Sequence, residues 1–292
     1  MKRFALAILT FLASLQAVAA TSYQGLWWNS PAGSQSGWGL NVVHQGTILF
    51  ATWFTYDTDG KGLWLVMPEL DFMPPNAYQS GYGYGSGPSG DTYTGNVYKT
   101  SGPVFGTTFD PTKVNATAVG VATLQFYTPT DGTFTATVNN YTETLTFNIT
   151  KQVFSTMPTC EVGGTPGSST NYSDLWWNQN ESGWGVNVTQ QGSTIFATWF
   201  TYDGTGRDAW YVMSNGVQTA GTQTWSGDVY QTVGSTYDKA WDGSKVVATK
   251  MGTGSFAFAD SSHGTFTATV NGQTITKSVT RQLFSSPATV CR

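Results

Sequence analysis

The sequence predicts an all-β fold, two tandem eight-stranded antiparallel up-and-down barrels, on three observations. Phe50-Ala51-Thr52-Trp53-Phe54-Thr55-Tyr56-Asp57 returns unchanged as Phe196-Ala197-Thr198-Trp199-Phe200-Thr201-Tyr202-Asp203, so the chain is a tandem repeat. Apolar and polar residues alternate with period two, the mark of strands wet on one face. No stretch carries a helical period of useful length. Eight strands in sequence order invite closure into a barrel, which removes exposed sheet edges. Two β-sandwiches are the main alternative, and a β-propeller is a more distant one.

Residues 1–20 read as a secretory signal peptide. Lys2 and Arg3 precede an apolar run over residues 4–15, and Ala17-Val18-Ala19-Ala20 supplies small residues for cleavage. The run is shorter than the roughly 20 residues a membrane helix needs, and nothing later approaches that length. The expectation is an exported protein, periplasmic or extracellular. Residues 21–159 form the first repeat, 160–170 a linker and 171–292 the second repeat. The linker is read from Gly163-Gly164-Thr165-Pro166-Gly167-Ser168-Ser169-Thr170.

Each repeat opens on an aromatic strand, Gly25-Leu26-Trp27-Trp28-Asn29 and Asp174-Leu175-Trp176-Trp177-Asn178. Ser36-Gly37-Trp38-Gly39-Leu40-Asn41-Val42 then aligns with Ser182-Gly183-Trp184-Gly185-Val186-Asn187-Val188, placing Trp38, Leu40 and Val42 on one side. The Gln45-Gly46 and Gln191-Gly192 turns lead into the eight identical residues. That strand sends Phe50, Thr52, Phe54 and Tyr56 to one face and Ala51, Trp53 and Thr55 to the other, so neither face suits open water. Strands around Trp64 and Trp210 follow. A Gly/Ser/Pro-rich stretch, residues 81–88, reads as a flexible surface loop. Later strands are read at 93–99 with 223–231, 118–127 with 246–258, and 132–139, identical to 264–271. The last run over 143–154 and 273–284.

Charge and cysteine usage narrow the function classes. The formal net charge is −4 and becomes more negative without Lys2 and Arg3. Nucleic acid, which selects for a basic stripe, is therefore a poor partner. Two cysteines, Cys160 and Cys291, close equivalent ends of the repeats, and an exported chain favours their pairing. A bridge within the chain would contribute roughly 4 to 5 kcal/mol in the chain-entropy account; a bridge to another chain is the alternative.

Gly25-Leu26-Trp27 resembles the Gly-x-Trp signature of calycins, and Gly25-Leu26-Trp27-Trp28-Asn29 the first strand of avidin-type barrels. That resemblance implies eight-stranded barrels with a ligand in the mouth and a cation from the last strand covering the tryptophan. Lys151 and Arg281 hold the matching positions, in phase with inward apolar residues, where a tryptophan face would stabilise them. Asp174 replaces the glycine in the second repeat and Lys151 the arginine in the first. The whole Leu-Trp-Trp-Asn, Ser-Gly-Trp-Gly and Ala-Thr-Trp-Phe-Thr-Tyr-Asp series resembles a family of exported bacterial repeat domains, from which no particular activity follows.

A catalytic group serving both repeats should occur in both. His44 faces Gln190 and His263 faces Asp131, so both histidines read as solvated loop or strand-end residues, and no metal site or cofactor is expected. Glu181 has Gln35 as its counterpart. Asp57 and Asp203 precede Gly-containing turns, where Asp accepts backbone hydrogen bonds. What both repeats keep is a set of rings and uncharged polar groups: Trp28 and Trp177, Trp38 and Trp184, Asn41 and Asn187, Trp53 and Trp199, Tyr56 and Tyr202, Trp64 and Trp210. Flat rings with a few hydrogen-bonding groups suit a neutral ligand, a carbohydrate or small amphiphile. The sequence thus points to a non-enzymatic binding protein with no membrane span. Its alternatives are a structural or adhesive module meeting a protein partner at the cell surface, and a glycan-acting hydrolase using Glu181 with Asp203.

Overall fold

The computed structural model describes residues 20–74, 90–106, 108–138 and 142–292. The signal peptide, except Ala20, and the 81–88 loop lie outside the described residues. Two closed eight-stranded antiparallel barrels stand in tandem. The chain begins with a short strand, β1 (Ala20–Thr21). The first barrel follows as β2 (Gly25–Asn29), β3 (Gly39–Gln45), β4 (Ile48–Tyr56), β5 (Gly62–Met73), β6 (Asp91–Ser101), β7 (Asn115–Phe126), β8 (Asp131–Val138) and β9 (Glu143–Lys151). After β10 (Cys160–Val162), the second comprises β11 (Asp174–Trp177), β12 (Gly185–Gln191), β13 (Thr194–Tyr202), β14 (Asp208–Gln218), β15 (Thr224–Val233), β16 (Val247–Phe258), β17 (His263–Val270) and β18 (Gln273–Arg281), and β19 (Thr289–Cys291) ends the chain. Every strand of each barrel pairs with its sequence neighbours, and β9 and β18 close back on β2 and β11.

Alternation decides what each strand buries. On β8, Phe134, Ala136 and Val138 fill the core while Thr133, Thr135 and Thr137 face outward, their hydroxyls pairing across to β9 at Thr135–Thr146 and Thr137–Thr144. The rings on both faces of β4 have the same origin. Leu49, Ala51 and Trp53 pack inside the first barrel, whereas Phe50, Phe54 and Tyr56 join a cluster continuous with the second barrel's core. The outer face of β4 is therefore covered by the other repeat.

The barrels pack through β3–β5 and β12–β14 about an approximate twofold axis. Trp64 donates its indole N–H to the Thr201 carbonyl at 2.9 Å, and Trp210 does the same to Thr55 at 3.2 Å. Asn41 bonds Thr198 and Asn187 bonds Thr52, both at 3.3 Å. Phe54 meets Trp210, and Trp64 meets Phe200. One edge departs from the symmetry: Arg207 grips Asp59 with two bonds of 2.6 and 2.9 Å and reaches Asp57 at 3.3 Å, while Lys99 bonds Asp57 at 2.7 Å.

The segments after each barrel cross to the other. The carboxamide of Gln191 accepts from the backbone N–H groups of Phe154 and Ser155 and donates to the Gln152 carbonyl. Gln45 does the same for Phe284, Ser285 and Gln282. The expected final strands thus end at Lys151 and Arg281, and Phe154 and Phe284 pack on Phe196 and Phe50 of the opposite repeat. The first residues assigned to the linker are also strand: β10 lies between β1 and β19, with Cys160 opposite Cys291. The two cysteines form an intramolecular disulfide.

Candidate binding sites in the barrel mouths

Each barrel has one end sealed by its own side chains and one end covered by the other repeat. The sealed end carries the predicted cations. Lys151 Nζ stands 5.4 Å from the Trp27 ring centroid, and the Arg281 guanidinium 5.2 Å from that of Trp176. Arg281 also binds Asp174 at 2.8 Å, which explains why the second repeat carries an acid where the first has Gly25. His44 lies here too, and its reading as solvated is corrected: it is 3% exposed, stacked on Tyr23. Its Nδ1 accepts the Tyr23 N–H at 3.3 Å, so the ring proton sits on Nε2, 3.3 Å from the Tyr93 hydroxyl. His263 is exposed and bonds Asp260.

The opposite ends are the mouths. The segment after β6 leaves the first barrel and lays Phe105 against Trp184 and Trp199 of the second, each at 4.8 Å between centroids. The segment after β15 returns the exchange, placing Tyr237 on Trp53 at 6.0 Å and Trp241 against Tyr56 at 6.2 Å. Each segment ends in a one-turn 3-10 helix capped by an aspartate, Asp110 or Asp242. Two glycine pairs make the exchange possible. A Cβ on Gly102 or Gly234 would strike the ring of Tyr202 or Tyr56. Gly37 and Gly183, in the Ser-Gly-Trp-Gly motif, have φ of +118° and +121° and sit under Val246 and Val114 of the opposite segment.

Under these segments lie two clefts. That of the first barrel has a volume of about 360 Å³, between Trp38, Trp53 and Phe147 below and Tyr237 and Trp241 above, with Asn29, Gln35 and Asn148 among its polar groups. The indole N–H groups of Trp53 and Trp241 are buried with no acceptor among the described residues. The second cleft, of about 530 Å³, is walled by Phe105, Trp199 and Tyr211 and carries more polar groups, Arg207, Asp208, Gln231 and Asn271 among them. There the N–H of Trp199, the hydroxyl of Thr201 and one carboxyl oxygen of Asp208 likewise have no partner among the described residues.

Compared with known proteins, the chain matches no family model, no curated protein and no solved structure.

The sequence-selected residues divide by place. Trp38 and Trp53 line the first cleft, Trp199 and Tyr202 the second, and Trp184 lies under Phe105 beside it. Trp64, Trp210, Asn41 and Asn187 bind barrel to barrel instead. Tyr56 packs beneath Gly234 and donates to the Gly37 carbonyl, and Trp28 and Trp177 are half-buried at the start of each barrel. Glu181 and Asp203 are each engaged separately. Glu181 binds Lys277 at 2.7 Å and accepts from the Trp184 indole at 3.2 Å, where the first repeat has Gln35, Phe147 and Trp38. Asp203 accepts from Thr205 and from the Arg207 backbone. Burial raises its carboxyl, but these hydrogen bonds outweigh that and hold it below the usual range.

Sequence reasoning missed the covering residues Phe105, Tyr237 and Trp241, and Asp208. A signal was present: Phe105-x3-Phe109-Asp110-x2-Lys113-Val114 has the same spacing as Tyr237-x3-Trp241-Asp242-x2-Lys245-Val246.

Proposed function

We propose that this is an exported, non-enzymatic binding protein whose two barrel mouths hold a neutral, oxygen-rich ligand with apolar faces, a carbohydrate being the class that fits best. The observation that carries this is the pairing, in the first mouth, of aromatic walls with buried indole N–H groups that lack acceptors. A ring face of a sugar stacks on flat aromatic surface, and its oxygens accept from donors already desolvated in the free protein. A cleft of about 360 Å³ has room for one or two sugar residues. The disulfide supports the exported setting, since such bonds persist in oxidising compartments. Among the described residues no helix is long and apolar enough to cross a membrane.

Two mouths on one chain, in barrels that pack on each other, would bind a polymer with avidity if its repeat spans them. The reading is tested by titrating soluble neutral glycans while following tryptophan fluorescence in the wild type and in Trp53→Phe. Saturable change in the wild type, weakened at least about tenfold in the variant, is expected. Silence across neutral oligosaccharides of several linkages would overturn it.

A further inference from the structure

The two mouths differ at their rims. Val104, Val233 and Val247 are 53%, 45% and 53% exposed. A single exposed valine is ordinary, but three around one opening mark a surface built for apolar contact. They reach it from distant parts of the chain. Val104 precedes Phe105 in the segment that crosses from the first repeat, and Val233 and Val247 stand opposite each other where β15 ends and β16 begins. Val104 and Val233 line the second cleft, and Val247, the register partner of Val233, shares its face. The first repeat's mouth has Thr236, Ser101 and Asn115 at the three equivalent places.

Two further differences run the same way. Gln231 and Gln273 line the second cleft where the first repeat carries the charged Lys99 and Glu143. The charges that do border this cleft belong to Lys61 and to the turn over residues 203–208. Of these, Arg207 is bound to Asp59, Asp203 to its own turn, and Asp208 is turned with Trp210 toward the other repeat. Inside the rim, Trp199 and Tyr211 stack at 4.8 Å, with Phe105 edge-on to Trp199. The cleft thus offers two surfaces in succession. Ring faces suit a sugar, and the valines suit hydrocarbon that gains by leaving water. A volume of about 530 Å³ has room for both.

Resting on the reading of the mouths as glycan sites, we propose that the second mouth is specific for a sugar carrying a short aliphatic substituent, an alkyl or acyl chain. The sugar lies against Trp199 and Tyr211, and the chain runs along Val104, Val233 and Val247. The first mouth, bordered by Thr236, Ser101 and Asn115, takes the unsubstituted sugar. One protein thereby distinguishes plain from aliphatically substituted units of a glycan.

Methyl, butyl and hexyl glucosides are the probes, each kept below its micelle-forming concentration, with affinities measured by calorimetry on the full chain. Affinity at one of two sites should rise about twofold for each added methylene, the gain expected of half-buried hydrocarbon. The triple variant Val104→Thr, Val233→Ser, Val247→Asn installs the first repeat's own residues at exposed positions, so its thermal unfolding midpoint should stay in place. It should bind methyl glucoside as the wild type does and lose the dependence on chain length. Val104→Thr alone should show part of that loss, and Trp53→Phe, in the other mouth, none of it. Equal affinity for methyl and hexyl glucoside, or a chain-length gain that survives the triple variant, overturns this proposal alone. Hexanol bound as tightly as hexyl glucoside overturns the sugar's part in it. Absence of binding by every glucoside, together with silence of neutral glycans at Trp53, overturns the glycan reading beneath it.

Discussion

Tyr237 of the second repeat meets Trp53 of the first nearly edge-on, at 70° and 6.0 Å between ring centroids. Trp53 packs in the first barrel at its mouth, so a residue nearly two hundred positions away in the chain forms the lid over that ring. Tyr237→Ala should open this mouth without unfolding the barrel. The expected signs are a red-shifted tryptophan emission, easier quenching by acrylamide, and a stability loss of about 2 kcal/mol for a half-buried ring. Unchanged quenching would show that the segment does not cover the mouth in solution.

The ion pair between Lys277 and Glu181 sits where the first repeat has Phe147 and Gln35. Lys277 is 5% exposed, so Glu181→Gln withdraws the carboxylate from a buried ammonium and should destabilise by roughly 3 kcal/mol. Combining it with Lys277→Phe reproduces the first repeat's pair and should recover most of that loss. Denaturant midpoints across the four combinations give the coupling directly, and simple additivity would contradict the arrangement.

Acid should weaken the fold through His44. Burial drives its imidazole down to about 4 from an ordinary value near 6.5. Between those values the unfolded chain binds a proton that the folded one refuses, so stability rises with pH across that window and is lost as pH falls through it. The full difference is roughly 3 kcal/mol. His44→Gln should flatten the dependence, because Gln190 already plays the same part, accepting the Tyr172 N–H at 2.9 Å. Urea unfolding at pH 7 and pH 4 measures it.

Reduction of Cys160–Cys291 releases a closure spanning 131 residues and should lower stability by roughly 4 kcal/mol in the chain-entropy account. The barrels should remain joined, since the indole and carboxamide bonds between them are independent of the bridge. Small-angle scattering of the Cys160→Ser, Cys291→Ser double variant should keep the compact envelope while its unfolding midpoint falls.

Cutting the chain in two is a harsher test. An isolated second repeat would expose Phe200, Trp210 and the ring of Tyr202 and would lose the Phe105 cover of its mouth. Sedimentation should find it self-associated or aggregated, and never a stable monomer.

Much of the architecture was legible because barrels write themselves locally. Phe134, Ala136 and Val138 alternate with threonine, and Trp27 and Lys151 mark the seam where the last strand returns to the first. The interface was half legible. Rings on both faces of β4 announced a second covering, but nothing local says that Trp64 meets Thr201, because that contact depends on a rotation between barrels that no alternation encodes. His44 misled for a related reason: it lies near a strand end, and only tertiary packing of Tyr23 and Tyr93 buries it. Asp208 was invisible for the opposite reason. It follows a turn, where aspartate is ordinary, and only the packing of one repeat on the other buries its carboxyl.

The exchanged segments and tails have a consequence for descent. Had a single-repeat ancestor paired with its own copy through this same surface, every change would have been made twice, at both mouths and both seams. Duplication within one gene lifts that constraint. Gly25 with Lys151 could then part from Asp174 with Arg281, Phe147 from Lys277, and Gly62 from Asp208, each half keeping the shared scaffold while its own ion pairs and packing diverged.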